Sequence, residues 1–575
     1  MYIPSYSDIT SQDLSDAWIS EKDAAISSIN EVQERFTYKL PEVGFKAELT
    51  IHFAGTLTGN TIGYYQARWE TEGKATHYSL TQFEATAARR AFPCWDEPLL
   101  KAKFTVTLIS RVGTVNLSNM SALYEEPVEE GIDTCAELKD ILASTRNEER
   151  EITKFDTSPP MSSYVVVFAS EPFVFIESLV TMHLSGRTIP LIYSNLTSPA
   201  FPATPGLIRQ TQFALDVKAA ALTLYERLFD VEYPLHKFDT LVVSELNSRG
   251  SPPSNFQRAS DFDPAAMENW GLIIGCLSSM LIDPDLSDLL AMKEVASVQS
   301  HEVPYMWYTV VPLTYTFCKG SVISQLWNSG PMFILMKAGR LEDFVRVHPE
   351  WLIGTEFINK NLGRALRLDT KLSSRPIEVD SSDANDINRA SSTDSVCLWV
   401  IISGGLIMHI MTVKFLKGVS IYLKKNSLQT SVTRDLWDGI SAATGLDISE
   451  LMDAWITKIG FPVVTVTEDT EGITVCQDRF LETVPVSRED TVQINARNGS
   501  REKETPSRRV EHLEVRKGGL PSALPSAFLR PGDEAAPPPP TSPPPLSTLY
   551  SLYNIYQARR TSPENKIEIT SEGLD

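Results

Sequence analysis

His301 and Glu302 stand side by side in the stretch SHEVPYMW, residues 300–307. The pair opens the pattern HExxH, in which two histidines one turn apart on a helix reach a single Zn²⁺ and the glutamate between them acts as general base. The chain leaves that pattern at its last position, where Tyr305 stands behind Pro304. A neutral phenol, with an ordinary pKa near 10, is a poor zinc ligand at neutral pH. Within a helix, Pro304 would also remove one N–H and press on the carbonyl of Ser300, at a cost of about 3 kcal/mol. Two readings stay open on these residues alone: a zinc-hydrolase helix that has lost a ligand, or a chance His-Glu pair.

Other segments decide between them. DFDPAAMENWGLI, residues 261–273, resembles the GAMEN signature of the M1 family of zinc aminopeptidases, with Ala265 in place of the usual first glycine. TQFEATAARRAFPCWDEPLLKAKF, residues 81–104, is very similar to a segment of that family's β domain, and SVQSHEV, residues 297–303, follows at the family's spacing. LGRALRLDTKLSSRPIEV and FLKGVSIYLKKNSLQTSVTRDLWDGISAATG resemble its downstream helices. The likeness covers roughly residues 35–305 and 349–483 and is nearest to the puromycin-sensitive and fungal cytosolic branch.

The resemblance implies a set of roles. The backbone of Ala265, Ala266, Met267 and Asn269 would align a peptide, Glu268 would hold its free α-amine, and Glu84 would be a second amine contact. A carboxylate in a closed cleft pairs with an ammonium and so selects chain ends over internal bonds. His301 would be a zinc ligand and Glu302 the base that takes a proton from water. The implied cofactor is Zn²⁺ and the implied partners are peptides with a free N-terminus. The other parts of the family site are missing. A glutamate ligand is expected further on, but the aligned position is Ser324, the look-alike LWNSG offers Ser329, and no Asp or Glu lies between Glu302 and Glu342. Cys318 beside one histidine makes two ligands where a stable site wants three or four. The oxyanion tyrosine is absent from DINRASSTDSVCLWVIISGG, and the next tyrosine after that stretch is Tyr422. Zinc is therefore expected to bind weakly or not at all. The expected function is N-terminal hydrolysis of peptides that is impaired or lost, or else a non-catalytic binder of peptide N-termini.

Residues 304–345 and 389–413 depart abruptly while their flanks match, and SELNSRGSPPSNFQRAS, residues 244–260, reads as an insertion. Sharp-edged blocks are expected of shifted reading frames or retained introns; continuous transcript reads through these blocks would contradict that origin.

Bulk properties narrow the setting. The 575 residues carry 73 acidic against 52 basic side chains, a formal net charge of -21, which argues against binding a phosphate backbone. Six scattered cysteines without a CxxC pair suggest neither a disulfide framework nor a cysteine-built metal site. The N-terminal residues lack the basic and apolar regions of a secretory signal, so a cytoplasmic protein is expected. VCLWVIISGGLIMHIMTV, residues 396–413, approaches spanning length but is interrupted by Ser403, Gly404, Gly405, His409 and Thr412, so no membrane partner is expected.

These elements must be positioned by a multidomain α+β chain. Period-2 runs such as FTYKL, AKFTVTLIS and RTIPLIYS predict a truncated N-terminal antiparallel β domain over 1–198. The three-and-four spacing of LIRQTQFALDVKAAALTLYERLF predicts a mainly α domain over 199–457, thermolysin-like by resemblance and disrupted at 304–345 and 389–413. GFPVVTVTEDTEGITVCQDRF predicts the start of an incomplete β sandwich over 458–483. The charged, Pro-rich stretch 484–575 is expected to be a disordered tail. The family's large C-terminal helical domain is expected to be missing.

Overall fold

The computed structural model describes residues 25–30, 35–39, 51, 53, 55, 57, 61–71, 74–128, 149–171, 173–196, 205–243, 266–308, 366–367, 369–371, 374, 376, 406–427, 431–468, 472–479 and 513–516. Its first strands, β1 (Ala25–Asn30) and β2 (Arg35–Lys39), pair antiparallel. They are followed by β3 (Gly63–Thr71), β4 (Lys74–Gln82), β5 (Thr107–Arg111), β6 (Val115–Ser118), β7 (Ala122–Pro127), β8 (Arg150–Phe155) and β9 (Phe168–Glu171). These form a four-stranded sheet in the order β3-β4-β9-β6 and a three-stranded sheet in the order β5-β8-β7. Alternation selects the buried face: Tyr65 and Ala67 on β3 and Tyr78 and Leu80 on β4 are buried, while Gln66 between them is exposed.

The next two strands join a second sheet. β10 (Phe173–Thr181) and β11 (Thr188–Leu196) form a hairpin, but β11 also pairs parallel with β12 (Asp239–Val243), in register Tyr193↔Thr240. Both therefore belong to the five-stranded sheet β10-β11-β12-β14-β13. Between β11 and β12 runs α1 (Pro205–Phe229), a right-sized crossover for parallel strands. Its Ala214, Leu215, Ala221, Leu222, Tyr225 and Phe229 are buried at three-and-four spacing. β12 is buried along its whole length, as a central strand covered on both faces must be.

β13 (Ala266–Met267) and β14 (Leu272–Cys276) complete this sheet, followed by α2 (Leu277–Met280), α3 (Leu289–Glu302) and α4 (Tyr305–Tyr308). The two sheets meet through a shared apolar layer: Tyr65, Tyr78, Leu80 and Ala169 from the four-stranded sheet, with Val167 just before β9, pack with Leu241, Val243, Leu272 and Ile274 from the five-stranded one. Lys237 reinforces the seam, donating to the carbonyls of Ser118 at 2.9 Å and Gly271 at 3.3 Å and pairing with Asp239.

Three more helices follow, α5 (Leu406–Lys425), α6 (Thr433–Thr444) and α7 (Ile448–Thr457). α5 begins inside the apolar run 396–413, whose residues 396–405 lie outside the described set. Among the described residues no helix is long and apolar enough to cross a membrane. β15 (Pro462–Glu468) and β16 (Gly472–Arg479) form the expected hairpin. β17 (Leu513–Arg516) then pairs antiparallel with β16, so the tail expected to be wholly disordered contributes one strand. Its LEVR alternates apolar and polar side chains, and the free edge of β16 satisfies its backbone. The remainder of 484–575, and residues 1–24 and 244–265, lie outside the described residues.

α5 and α6 cross where both lack a Cβ. A Cβ on Gly418 would lie 2.5 Å from Cα of Ile440, and one on Gly439 would lie 2.7 Å from the carbonyl oxygen of Gly418. Backbone, not a flexible side chain, occupies that space. Gly439→Ala should therefore lower the unfolding free energy by about 1–3 kcal/mol, the usual cost of overpacking a close contact. Thermal unfolding by circular dichroism checks this, and an unchanged midpoint would contradict the crossing.

Candidate functional site

The site is assembled at the edge of the five-stranded sheet. The two-residue strand β13 pairs with β14 in register Ala266↔Gly275 and Met267↔Ile274, and its chain then turns through Glu268, Asn269 and Trp270 back into β14. The turn needs a left-handed residue, and Gly271 supplies it at φ 85°. A Cβ there would also sit 2.5 Å from the carbonyl oxygen of Asn119. The loop is pinned at several points. Asn119 Nδ2 donates to the Trp270 carbonyl at 2.9 Å, the Trp270 indole donates to the Met306 carbonyl at 2.9 Å, and Gln82 Nε2 approaches Met267 Sδ at 3.6 Å. Glu268 is 7% exposed and Asn269 fully buried, with neither end of the Asn269 amide holding a hydrogen-bond partner among the described residues.

Helix α3 brings His301 and Glu302 to this loop. Its start is capped by Asp288, which accepts from the Ala291 N–H at 2.9 Å. Gln299 fixes its inner face, donating to Tyr193 Oη at 3.0 Å. The helix ends at Glu302, and a separate turn, α4, starts at Tyr305, so the break expected at Pro304 is present. The carbonyl of Ser300, deprived of a donor by Pro304, accepts instead from the Tyr225 hydroxyl at 2.9 Å. The one-turn spacing survives the break. His301 and Tyr305 lie ring to ring, centroids 5.0 Å apart and planes at 72°.

That arrangement does not fit a zinc ion. The second ligand's place is filled by a buried phenol ring packed edge-on against the imidazole. Among the described residues no group of three His, Cys, Asp or Glu could hold a metal. Cys318, Ser324 and Ser329 lie outside the described residues, as does Ala265. Tyr422, the first tyrosine after the expected oxyanion position, is buried in α5 and hydrogen-bonded to Ser431 at 2.6 Å.

Three carboxyls influence one another's charge. Glu84, partly buried, lies in the segment after β4; Glu268 and the 2% exposed Glu302 complete the group. Loss of hydration pushes Glu84 up to about 7 from its ordinary 4.5. Burial first, and the charge of Glu84 second, push Glu268 well above the usual range, against a backbone hydrogen bond that pulls the other way. Burial, then the charges of Glu268 and Glu84, do the same to Glu302. One oxygen of Glu302 has no hydrogen-bond partner among the described residues. Sequence reading missed two residues here. Tyr164, whose phenol is raised by burial and then by Glu268 and Glu84, sits in a 3₁₀ turn, residues 163–165, and Asn119 ties that turn to the loop. Neither carries a motif; only contact through space identifies them.

Comparison with known proteins agrees with this layout. Residues 5–165 match the Peptidase M1 N-terminal domain, and residues 213–455 match the Peptidase family M1 domain. Aminopeptidase 2, mitochondrial, of Saccharomyces cerevisiae is 33% identical over 473 residues, covering 81% of this chain and 44% of that protein. The alanine/arginine aminopeptidase of the same yeast is 33% identical over 473 residues, covering 81% and 48%. The puromycin-sensitive aminopeptidase of Caenorhabditis elegans is 30% identical over 454 residues, covering 77% and 42%. The chain spans less than half the length of these relatives. With both family domains matched in order along it, the chain belongs to peptidase family M1.

Proposed function

We propose that this chain is an M1 aminopeptidase derivative that grips peptides by their free N-termini and hydrolyses them slowly or not at all. One observation carries the reading. Glu268 and Glu302 are buried and feel the charge of Glu84, while the helix that should present two imidazoles presents one imidazole and a phenol packed against it. In the family's enzymes zinc supplies Lewis acidity and an activated water; no step is routed through it here, because the donors found do not suit it.

The chemistry left to the residues is recognition. Glu268 and Glu84 offer negative charge in a site poor in water, where an ammonium is held by charge-assisted hydrogen bonds and an acetylated terminus is not. Glu302, held toward its neutral form by burial and by the charges of Glu268 and Glu84, adds polarity rather than charge, and one of its oxygens has no partner among the described residues. The backbone of Ala266, Met267 and Asn269, with Ala265 before them, would align the peptide. The formal charge of -21 supports a reading in which the chain works on short peptides, apart from nucleic acid.

Binding should be visible by calorimetry. The dipeptide Ala-Ala should bind and its N-acetyl form should not, and Glu268→Gln should weaken Ala-Ala by about 10–100-fold, the worth of a hydrogen bond to a charged group. Alanyl-anilide turnover should stay near the buffer rate even with added zinc. Rapid turnover abolished by a chelator would overturn the loss of catalysis, and equal binding of both dipeptides would overturn the amine site.

The raised carboxyls also set a pH dependence. A folded-state pKa above the unfolded one means that the native chain retains a proton that the unfolded chain releases, so stability falls as pH rises through the window between them. For Glu84 that window runs from 4.5 to about 7. Glu84→Gln removes the ionisation and should stabilise the ligand-free protein at pH 8 by about 1–3 kcal/mol, the gain vanishing below pH 4.5. Paired melts across that range test this; a variant no more stable than wild type at pH 8 would contradict it.

A further inference from the structure

An α-ammonium offers three N–H donors, and two carboxylates supply its charge partners without settling where the third donor goes. Tyr164 lies in a 3₁₀ turn that hydrogen bonds on either side tie to the segments carrying Glu84 and Glu268. Before it, Ser163 Oγ donates to Asp96 Oδ1 at 2.6 Å. Asp96 Oδ2 in turn accepts from Arg89 Nε at 2.8 Å and from the Arg89 N–H at 3.2 Å, in the segment that carries Glu84. Ser162 Oγ adds a bond to the Pro98 carbonyl at 2.9 Å. After it, the Val165 carbonyl accepts from Asn119 Nδ2 at 2.8 Å, and the same amide reaches the Trp270 carbonyl at 2.9 Å, two residues beyond Glu268. The tyrosine's two neighbours are thus tied separately to the two carboxylate-bearing segments, by groups that are themselves buried: Asp96, Asn119 and Ser163.

We infer that Tyr164 is a specificity-determining residue of the amine site: its phenolic oxygen is the third acceptor for a primary α-ammonium held by Glu84 and Glu268. The ligand class this selects is a peptide beginning with a primary amine, in preference to one beginning with proline or an N-methylated residue, whose nitrogen carries only two N–H groups when protonated. The phenol stays protonated beside the carboxyls, because burial and the charges of Glu268 and Glu84 all raise it. It therefore contributes an oxygen lone pair without adding a third negative charge to the pair. Asp96 and Asn119 act through Tyr164, as positioning residues.

This inference rests on the amine-binding reading, and the test separates the two. Calorimetry on the full chain uses Ala-Ala, N-methyl-Ala-Ala and N-acetyl-Ala-Ala. Wild type should bind Ala-Ala about tenfold more tightly than the N-methyl dipeptide, the worth of one hydrogen bond. Tyr164→Phe, which removes only the oxygen, should bring that ratio to about one by weakening Ala-Ala alone. Ser163→Ala, which frees the turn while keeping the phenol, should narrow the ratio partway and provides a second route if Tyr164→Phe does not fold. A wild type that rejects the acetyl dipeptide while Tyr164→Phe and Ser163→Ala both keep the full primary-amine preference would overturn this inference alone. A wild type that binds all three equally would overturn the amine-binding reading and this inference with it.

Discussion

Carboxylates buried within reach of one another repel, and each is costlier to ionise than one left in water. A metallopeptidase relieves that tension with a divalent cation. In this chain Glu84, Glu268 and Glu302 are still gathered, with burial and mutual charge raising each as described, but the neighbouring helix offers His301 and then the ring of Tyr305. On the proposed reading, the cation that balances the site comes from the α-ammonium of a ligand, and recognition outlasts catalysis.

The surrounding structure keeps the recognition end in shape. The apolar layer between the two sheets fixes the β domain against the sheet that carries Glu268. Asn119 and Lys237 stitch the same seam with hydrogen bonds to the Trp270 and Gly271 carbonyls. Trp270 and Met306 connect the loop to the turn after Pro304, so the break in the helix is itself built into the packing. Tyr225 supplies the donor that the proline removed. A disrupted ligand helix is thereby compatible with an ordered loop.

Much of this was legible in the sequence, for physical reasons that can be named. Period-2 runs and a long three-and-four pattern identified a β region followed by a helical one, and Pro304 predicted the break in α3 that the structure contains. β10 and β11 have the same local texture as the strands before them, and only the parallel pairing of β11 with β12 assigns them to the second sheet. β17 was missed because four residues in a charged stretch carry too little pattern to stand out, and their partner lies more than thirty residues away. Glu84, Glu268, His301 and Glu302 are candidates through resemblance alone, since a carboxylate far off in sequence has no periodic signature. Tyr164 and Asn119 escaped notice because their roles arise entirely from tertiary contact.

The central claim concerns metal content, so zinc stoichiometry tests it most directly. Protein incubated with excess zinc, passed through a desalting column and weighed by native mass spectrometry should carry well under one ion per chain, because one imidazole cannot supply the three or four ligands of a stable site. One tightly held zinc per chain, lost on His301→Ala, would contradict the account.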